Sequence, residues 1–232
     1  MPRIIYIHVP KCGGSSFGAA LRLRYFASCG TITLDQGHAA LPRPFRILND
    51  YAARSRQLRA HVAAGKSLIT GHVQYDPDLH AGAARGYRFV TMLRDPVERF
   101  VSHYHYLQRA HPDPRRAPTL AAFLETDDAA RLASQYLFYF AGHWQRPGVD
   151  LAQLTERAIS NLSCFDLVGD LGDTARFARD LRRLTMTPIP RLRRNAAPTE
   201  QPIPEALRPR IEALCAADLA IYRSRFQTRA AA

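Results

Sequence analysis

Short runs of apolar residues alternate along this chain with longer stretches that mix apolar and charged side chains. A short apolar run bounded by polar residues or glycine is typical of a strand buried on both faces of a parallel sheet. Strands that alternate with helical stretches predict an α/β fold with a central parallel sheet flanked by helices. The four predicted strands are Arg3–His8, Ser67–Thr70, Tyr87–Leu93 and Phe165–Val168.

Helices are predicted where apolar residues recur every three or four positions. The first is expected to begin near Ser15. After the third strand, an N-cap aspartate (Asp95), Pro96 and Glu98 indicate a strong helix start, and this helix is expected to run to Gln108. The other predictions are a helix at Gln57–Ala64, two helices across Leu120–Ala141, a helix at Asp173–Leu184 and one long terminal helix at Pro204–Phe226.

Segments rich in proline and glycine predict loops between these elements. Ala27–Phe45 is interpreted as a loop or lid, and His111–Pro118 as the segment that ends the helix after Asp95. Thr185–Pro202 is proline-rich and carries Arg193 and Arg194, so it is expected to be a basic loop that can close over an anion.

The length and composition narrow the possibilities further. The chain has 232 residues with 47% hydrophobic content and no convincing linker, which predicts a single domain over residues 1–232. No apolar run is long enough to span a membrane, and the chain passes from Met1 almost directly into a strand. We therefore expect a soluble, cytoplasmic protein that does not insert into membranes.

The charge pattern favours an anionic ligand. The formal net charge is +12, which attracts polyanions, but no aromatic-interleaved basic stripe or reading motif predicts nucleic acid as a partner. Only two of the 32 basic residues are lysines, Lys11 and Lys66. In such an arginine-rich sequence, compositional drift would favour arginine at position 11, so a lysine there indicates a specific role.

The stretch Ile4–Phe17 combines an apolar strand, a lysine-glycine turn and the start of a helix. Free backbone N–H groups at a helix N-terminus bind phosphate or sulfate oxygens, and Lys11 adds a positive charge. In the nucleotide-triphosphate loop the lysine follows the glycines, whereas here it precedes Gly13 and Gly14. This order disfavours ordinary ATP or GTP use, although a tight strand-to-helix connection without a ligand is the simpler alternative.

The four cysteines are predicted to be free thiols. They contain no C-x-x-C pair and are widely scattered, so neither a disulfide framework nor a zinc site is expected. A phosphatase-type C-x5-R loop starting at Cys12 would require arginine at position 18, which is Gly18. No cluster of metal ligands is found elsewhere in the sequence, so no metal is expected.

The segment P-K-C-G-G-S-S-F resembles the 5′-phosphosulfate loop of sulfotransferases that use 3′-phosphoadenosine 5′-phosphosulfate. It is most similar to the carbohydrate branch that includes the heparan and uronyl 2-O-sulfotransferases. The resemblance implies a P-loop-like three-layer sandwich, this nucleotide as sulfuryl donor and 3′-phosphoadenosine 5′-phosphate as product. It also implies that the donor is bound by Lys11, Cys12, Gly13, Gly14, Ser15 and Ser16.

A second segment, Thr91–Leu107, is similar to the 3′-phosphate motif of the same enzymes. Arg94 comes at the end of a predicted strand, and Ser102 lies on the helix that follows. A guanidinium and a hydroxyl can hold phosphate oxygens by charge-assisted hydrogen bonds, and the resemblance gives these two residues that role. The alternative is that Arg94 pairs with Asp95 or Glu98 and that Ser102 is an exposed helix residue.

His72 is the candidate general base. It follows the predicted strand Ser67–Thr70, and ligands of open parallel sheets collect at the carboxyl ends of strands. A histidine with a pKa near neutrality can accept the proton of an attacking hydroxyl, and Gly71-His72-Val73 resembles the catalytic-histidine segment of the 2-O-sulfotransferases. His8, His103 and His105 are the alternatives.

The resemblance implies a sulfotransferase acting on a hydroxyl of a glycan-type acceptor by in-line displacement, with Lys11 and His72 as catalytic residues. Weaker similarities reach the basic loop, where Arg193 is carried over as a donor contact and Arg194 stays open as the alternative. Two other functions stay open as well: a nucleotide kinase with a divergent phosphate loop, and a noncatalytic module that binds polyanions.

Overall fold

Five parallel strands form one sheet in the part of the chain that the structure describes, with the order β2-β3-β1-β4-β5. The structure is a computed structural model that describes residues 1–33, 43–186 and 202–226, without the side chains of residues 43–46. The strands are β1 (Arg3–His8), β2 (Cys29–Ile32), β3 (Leu68–Gly71), β4 (Tyr87–Leu93) and β5 (Leu167–Asp170).

The strand predictions are confirmed for four of these five. The bounds of β1 and β4 agree with the sequence, while β3 is displaced by one residue and β5 by two residues toward the C-terminus. The loop expected at Ala27–Phe45 is wrong in its first part, because β2 lies within it as an edge strand. This strand alternates buried Gly30 and Ile32 with more accessible residues, so it carries no continuous apolar run.

Helices cover both faces of the sheet, which confirms the predicted three-layer α/β architecture. Successive residues of a strand point to opposite faces. Accordingly Ile5, Ile7 and Phe89 pack in one core with helices such as α7 and α8 (Gln135–Ala141 and Leu151–Ser163). Ile4, Tyr6, Val90 and Met92 pack in a second core with residues of helices α1 and α9 (Gly14–Arg24 and Thr174–Thr185).

The remaining helices differ from the expectations mainly in their bounds. The helix expected at Gln57–Ala64 begins much earlier, at Arg43. The segment Leu120–Ala141 forms three helices where two were expected, and the long terminal helix is divided at Cys215. No described helix is both long and apolar enough to cross a membrane. The other described α-helices are α2 (Arg43–Ala63), α3 (Pro77–Ala81), α4 (Pro96–Ala110), α5 (Leu120–Phe123), α6 (Asp127–Ala133), α10 (Arg208–Leu214) and α11 (Ala216–Phe226).

Candidate functional site

The carboxyl ends of the parallel strands meet at one edge of the sheet, and the candidate residues follow directly after them. Ile7 of β1 is in register with Gly71 of β3 and with Thr91 of β4. The segments that carry Lys11, His72 and Arg94 therefore leave the sheet side by side, although they are far apart in sequence. This is the edge at which open α/β sheets bind their ligands.

The connection from β1 to α1, which we call the Lys11 loop (residues 9–13), has a backbone shape that is unusual for non-glycine residues. Lys11 has a φ of 66° and Gly13 a φ of 70°, so both adopt the left-handed conformation. The positive φ favours glycine at position 13, and a Cβ atom there would lie 2.4 Å from Cδ1 of Leu171, which would have to shift. A lysine held in this conformation costs on the order of 1 kcal/mol, which is characteristic of a functional loop.

The first turn of α1 lacks the usual features that satisfy a helix N-terminus. Gly13 is the N-cap and provides no side-chain hydrogen bond, and the first turn contains no acidic residue. The helix dipole and the N–H groups of this turn therefore favour an external anion. Gly14, Ser15 and Ser16 form this turn, as the sequence predicted.

Lys11 is half-buried, and its ammonium group contacts an aromatic ring. Its Nζ lies 4.4 Å from the centroid of the Tyr106 ring, a cation–π contact between the Lys11 loop and α4. Desolvation lowers the pKa of Lys11, and the positive charges of Arg109 and Arg94 lower it further, while Cys12 opposes them. An anion bound near Lys11 would relieve this repulsion between cations.

Helix α4 begins at the capped turn that the sequence predicted. The carboxylate of Asp95 accepts hydrogen bonds from the N–H groups of Val97 and Glu98 at 3.0 and 3.1 Å, a cap that typically contributes about 1 kcal/mol. The apolar face of α4, including Phe100 and Tyr104, is buried as expected and packs on α6 and α10. Both features fix the direction of α4 relative to the end of β4.

Arg94 lies between β4 and α4 and is only 7% exposed. Its Nε donates to Oε2 of Glu98 at 3.3 Å, so the pairing of Arg94 with Glu98, one of the alternatives that the sequence left open, does occur. The Glu98 side chain is 53% exposed, however, so solvent screens this ion pair and reduces its contribution to stability. Ser102 lies two turns further along α4 and is partly buried.

His72 follows β3 and its imidazole has a defined tautomer. Its Nδ1 lies 2.8 Å from the backbone carbonyl oxygen of His8, which can only accept a hydrogen bond. Nδ1 therefore carries the hydrogen, and Nε2 is the basic nitrogen. The hydroxyl of Tyr139 lies 3.4 Å from Nδ1 and also hydrogen-bonds Tyr51 at 2.6 Å, while Arg54 donates to the His72 carbonyl oxygen at 3.1 Å.

The pKa of His72 favours the neutral form that a base requires. Desolvation lowers this pKa, Arg54 lowers it further, and the hydrogen bond to His8 opposes both. Although the protein packs closely around the imidazole, the residue as a whole is exposed. It is therefore neutral at pH 7 and accessible.

The alternative histidines are less suited to accept a proton. His8 is 8% exposed, and its Nε2 lies 3.0 Å from Oγ1 of Thr70. Burial, followed by the charges of His72 and Arg22, lowers the pKa of His8 to about 3. Burial lowers the pKa of His103 well below its usual value, with Arg99 as the next cause, and burial also lowers that of His105. Neither the sequence nor the geometry gives these three the position of His72.

Three tyrosines around the candidate residues were not assigned a role from the sequence. Tyr106 contacts Lys11, Tyr136 hydrogen-bonds the backbone of Arg94, and Tyr139 lies beside His72. Tyr106 falls within Thr91–Leu107, the segment that resembles the 3′-phosphate motif, and this resemblance is the one sequence signal that could have indicated it. Arg193 and Arg194 lie outside the described residues.

Comparisons with known proteins agree with this architecture. The crystal structure of a sulfotransferase from Alicyclobacillus acidocaldarius is similar over 98% of this chain and 96% of that chain, with a TM-score of 0.52 and 17% identity. At this identity the likeness shows the fold. No protein of curated function matches the sequence. The profile of the sulfotransferase family matches residues 2–138, which is more than half of the chain. The chain therefore belongs to the sulfotransferase family.

Proposed function

We propose that this protein transfers the sulfuryl group of 3′-phosphoadenosine 5′-phosphosulfate to a hydroxyl of a carbohydrate-type acceptor. Sulfuryl transfer in general follows from the family and the fold. The observation that supports this donor is the uncapped first turn of α1 beside Lys11, at the sheet edge where Arg94 also lies. Two separate cationic features suit a nucleotide with phosphate groups at two positions.

The residues present fit the donor at its 5′ end. A Cβ atom at Gly13 would meet Leu171, and one at Gly14 would lie 3.3 Å from the hydroxyl of Tyr6, so the loop is shaped by its glycines. In this proposal the N–H groups from Gly13 to Ser16 bind the phosphosulfate oxygens, with Cys12 as part of the loop. The Lys11 ammonium group neutralises the remaining charge.

The 3′ end of the donor is assigned to Arg94 and Ser102. The guanidinium of Arg94 offers several N–H donors, of which Nε contacts Glu98. The hydroxyl of Ser102 follows on the helix that begins directly after Arg94. Arg193, in the segment beyond the described residues, is kept as a proposed third contact, with Arg194 as its alternative.

His72 and Lys11 have different roles in the proposed transfer. The donor supplies the sulfuryl group, and its bond from sulfur to the bridging phosphate oxygen breaks as the acceptor oxygen bonds to sulfur. Nε2 of His72 takes the hydroxyl proton of the acceptor. Lys11 and the first turn of α1 stabilise the negative charge that develops on the bridging oxygen.

The assignment of a carbohydrate-type acceptor is supported by the motif resemblance and by the positive charge of the protein. The carbohydrate class rests on the resemblance of the motifs to the 2-O-sulfotransferases. An acidic glycan would suit the net charge of +12 and the cations Lys11, Arg54 and Arg109 on this side of the sheet.

The donor assignment is tested by calorimetric titration of the purified protein. We expect 3′-phosphoadenosine 5′-phosphate to bind at least about tenfold more tightly than ADP or ATP, because only it engages both cationic features. If ADP and ATP bind as tightly as 3′-phosphoadenosine 5′-phosphate, and the protein turns over ATP with Mg²⁺, the results would instead support a kinase. Salt-sensitive binding of polyanions without any sulfuryl transfer would support the noncatalytic module.

Arg94→Ala is expected to weaken 3′-phosphoadenosine 5′-phosphate about 10- to 100-fold and adenosine 5′-monophosphate much less. The reason is that charge-assisted hydrogen bonds to a phosphate contribute about 1.5–3 kcal/mol, and only the first ligand carries the 3′-phosphate. The measurement is calorimetry with both nucleotides. Arg88→Ala is the matched control, since Arg88 lies at the opposite end of the same strand and pairs with Asp166 at 2.7 Å. Equal weakening of both nucleotides would contradict the assignment of Arg94.

A further inference from the structure

Tyr136 is a fully buried tyrosine at the N-terminal end of α7, and its hydroxyl contacts two of the loops that form the candidate site. The N–H group of Arg94 donates to this oxygen at 2.8 Å, and the hydroxyl donates in a short hydrogen bond to the carbonyl oxygen of Arg94. A single hydroxyl therefore hydrogen-bonds both backbone groups of Arg94, the residue that directly follows β4. Such a reciprocal pair restrains the position of the Arg94 main chain.

The same hydroxyl also contacts the Lys11 loop. The Sγ atom of Cys12 lies 3.5 Å from the Tyr136 oxygen and 3.7 Å from the carbonyl oxygen of Pro10. Burial raises the pKa of Cys12 to about 11, so its thiol keeps the hydrogen that such contacts need. Cys12 thus joins the loop that carries Lys11 to the oxygen that holds Arg94.

Tyr136 is itself held in place from the opposite side. Its N–H group donates to Asp218 at 2.9 Å, and the N–H group of Leu137 donates to the second carboxylate oxygen at 3.0 Å. Arg99 lies 3.7 Å from the same carboxylate and donates to the Leu132 carbonyl oxygen at 2.6 Å. The carboxylate of α11 therefore caps α7, and this buried network fixes the ring that reaches the site.

We propose that Tyr136 is a positioning residue that sets the spacing between the Lys11 loop and Arg94, and so selects a nucleotide phosphorylated at both its 5′ and 3′ positions. This inference rests on the proposed function, in which those two elements hold the two ends of the donor. A ligand that bridges two sites gains affinity only when the sites are held at the matching distance. Tyr136 contacts both elements through its hydroxyl and is not assigned a contact to the donor.

The test compares the Tyr136→Phe variant with the unchanged protein. Phenylalanine keeps the ring and removes all three hydroxyl contacts. We expect the affinity for 3′-phosphoadenosine 5′-phosphate to fall about tenfold and that for adenosine 5′-monophosphate to change little, so that their ratio falls. In an Arg94→Ala background the same substitution should leave this ratio unchanged, because the second end of the site is already lost.

Tyr87→Phe is the matched control. Tyr87 is 2% exposed and donates to the Lys66 carbonyl oxygen at 2.8 Å, at the opposite end of β4. Its loss removes a buried hydroxyl without touching the candidate site, so the ratio of the two affinities should stay the same. If Tyr136→Phe does not fold, Cys12→Ala removes one of the three contacts and should lower the ratio in the same direction.

The outcomes separate this inference from the proposed function. If the unchanged protein shows no preference for the 3′-phosphorylated nucleotide, the proposed function fails and the inference fails with it. If it shows that preference and Arg94→Ala removes it, the function stands. An unchanged ratio in Tyr136→Phe, or in Cys12→Ala where Tyr136→Phe does not fold, would then overturn the positioning role alone. Equal losses in Tyr136→Phe and Tyr87→Phe would also overturn it, since they would indicate a general loss of structure.

Discussion

Lys11→Ala is expected to lower kcat for sulfuryl transfer by at least about 100-fold while the protein stays folded. Lys11 supplies the ammonium group of the Lys11 loop. Preorganised charges that stabilise a developing anion commonly contribute a factor of this size to kcat. Its left-handed φ of 66° is equally strained for alanine, so the free energy of unfolding should change little. Steady-state kinetics and thermal unfolding measure the two effects separately.

Lys66→Ala is the control for this substitution. Lys66 is the only other lysine in the sequence and precedes β3, at the end of the sheet opposite the candidate site. It should therefore keep normal turnover. Lys11→Arg should recover part of the activity, because the positive charge remains while its geometry changes. Near-normal turnover in Lys11→Ala would remove the assignment of the phosphosulfate loop.

The sequence predicted the central strands well because each is a continuous apolar run. β1 and β4 lie in the middle of the sheet, where both faces are covered, and their bounds agree with the prediction. β2 could not be found in this way. It is an edge strand, next to which the side chain of Gln57 accepts from the Thr33 N–H group at 3.0 Å and donates to the Thr33 carbonyl oxygen at 3.2 Å. These contacts come from α2, which is distant in sequence, so no local sequence pattern around β2 indicates the strand.

The arrangement of the candidate site followed from topology more than from any single motif. Once the strands are parallel, residues that follow β1, β3 and β4 must share one edge of the sheet. The role of Tyr136 could not be inferred, since it is 42 positions from Arg94 and its contact depends on how α7 packs. The roles of the site residues, the single-domain organisation and the cytoplasmic location stay predictions.

The electrostatics of the site suit an anionic donor next to a neutral base. Desolvation lowers the pKa of Lys11, and the positive charges of Arg109 and Arg94 lower it further, so an anion bound near these cations is favoured. His72 is kept neutral mainly by desolvation, with Arg54 as a further cause. Cations that hold the donor and a neutral imidazole that accepts a proton are the two conditions that the proposed transfer requires.

His72→Ala is accordingly expected to lower kcat about 100- to 10,000-fold, while the affinity for 3′-phosphoadenosine 5′-phosphate changes little. His72→Asn should show the same loss, because asparagine can still donate to the His8 carbonyl oxygen but offers no basic nitrogen. His143→Ala replaces an exposed histidine and should keep normal turnover. The measurements are kcat from steady-state kinetics and Kd from calorimetry. A loss confined to donor binding would count against the role of general base.

The pH profile of kcat/KM identifies the proton acceptor independently. Because the pKa of His72 is lowered, its basic form predominates at pH 7 and is lost as the pH falls through a value below the usual 6.5 of histidine. We expect an acid limb with its midpoint below 6.5 in the unchanged protein. The residual activity of His72→Ala should lack this limb. If the same limb persists in His72→Ala, the proton goes to another group, and the same substitution at His8, His103 and His105 in turn would identify it.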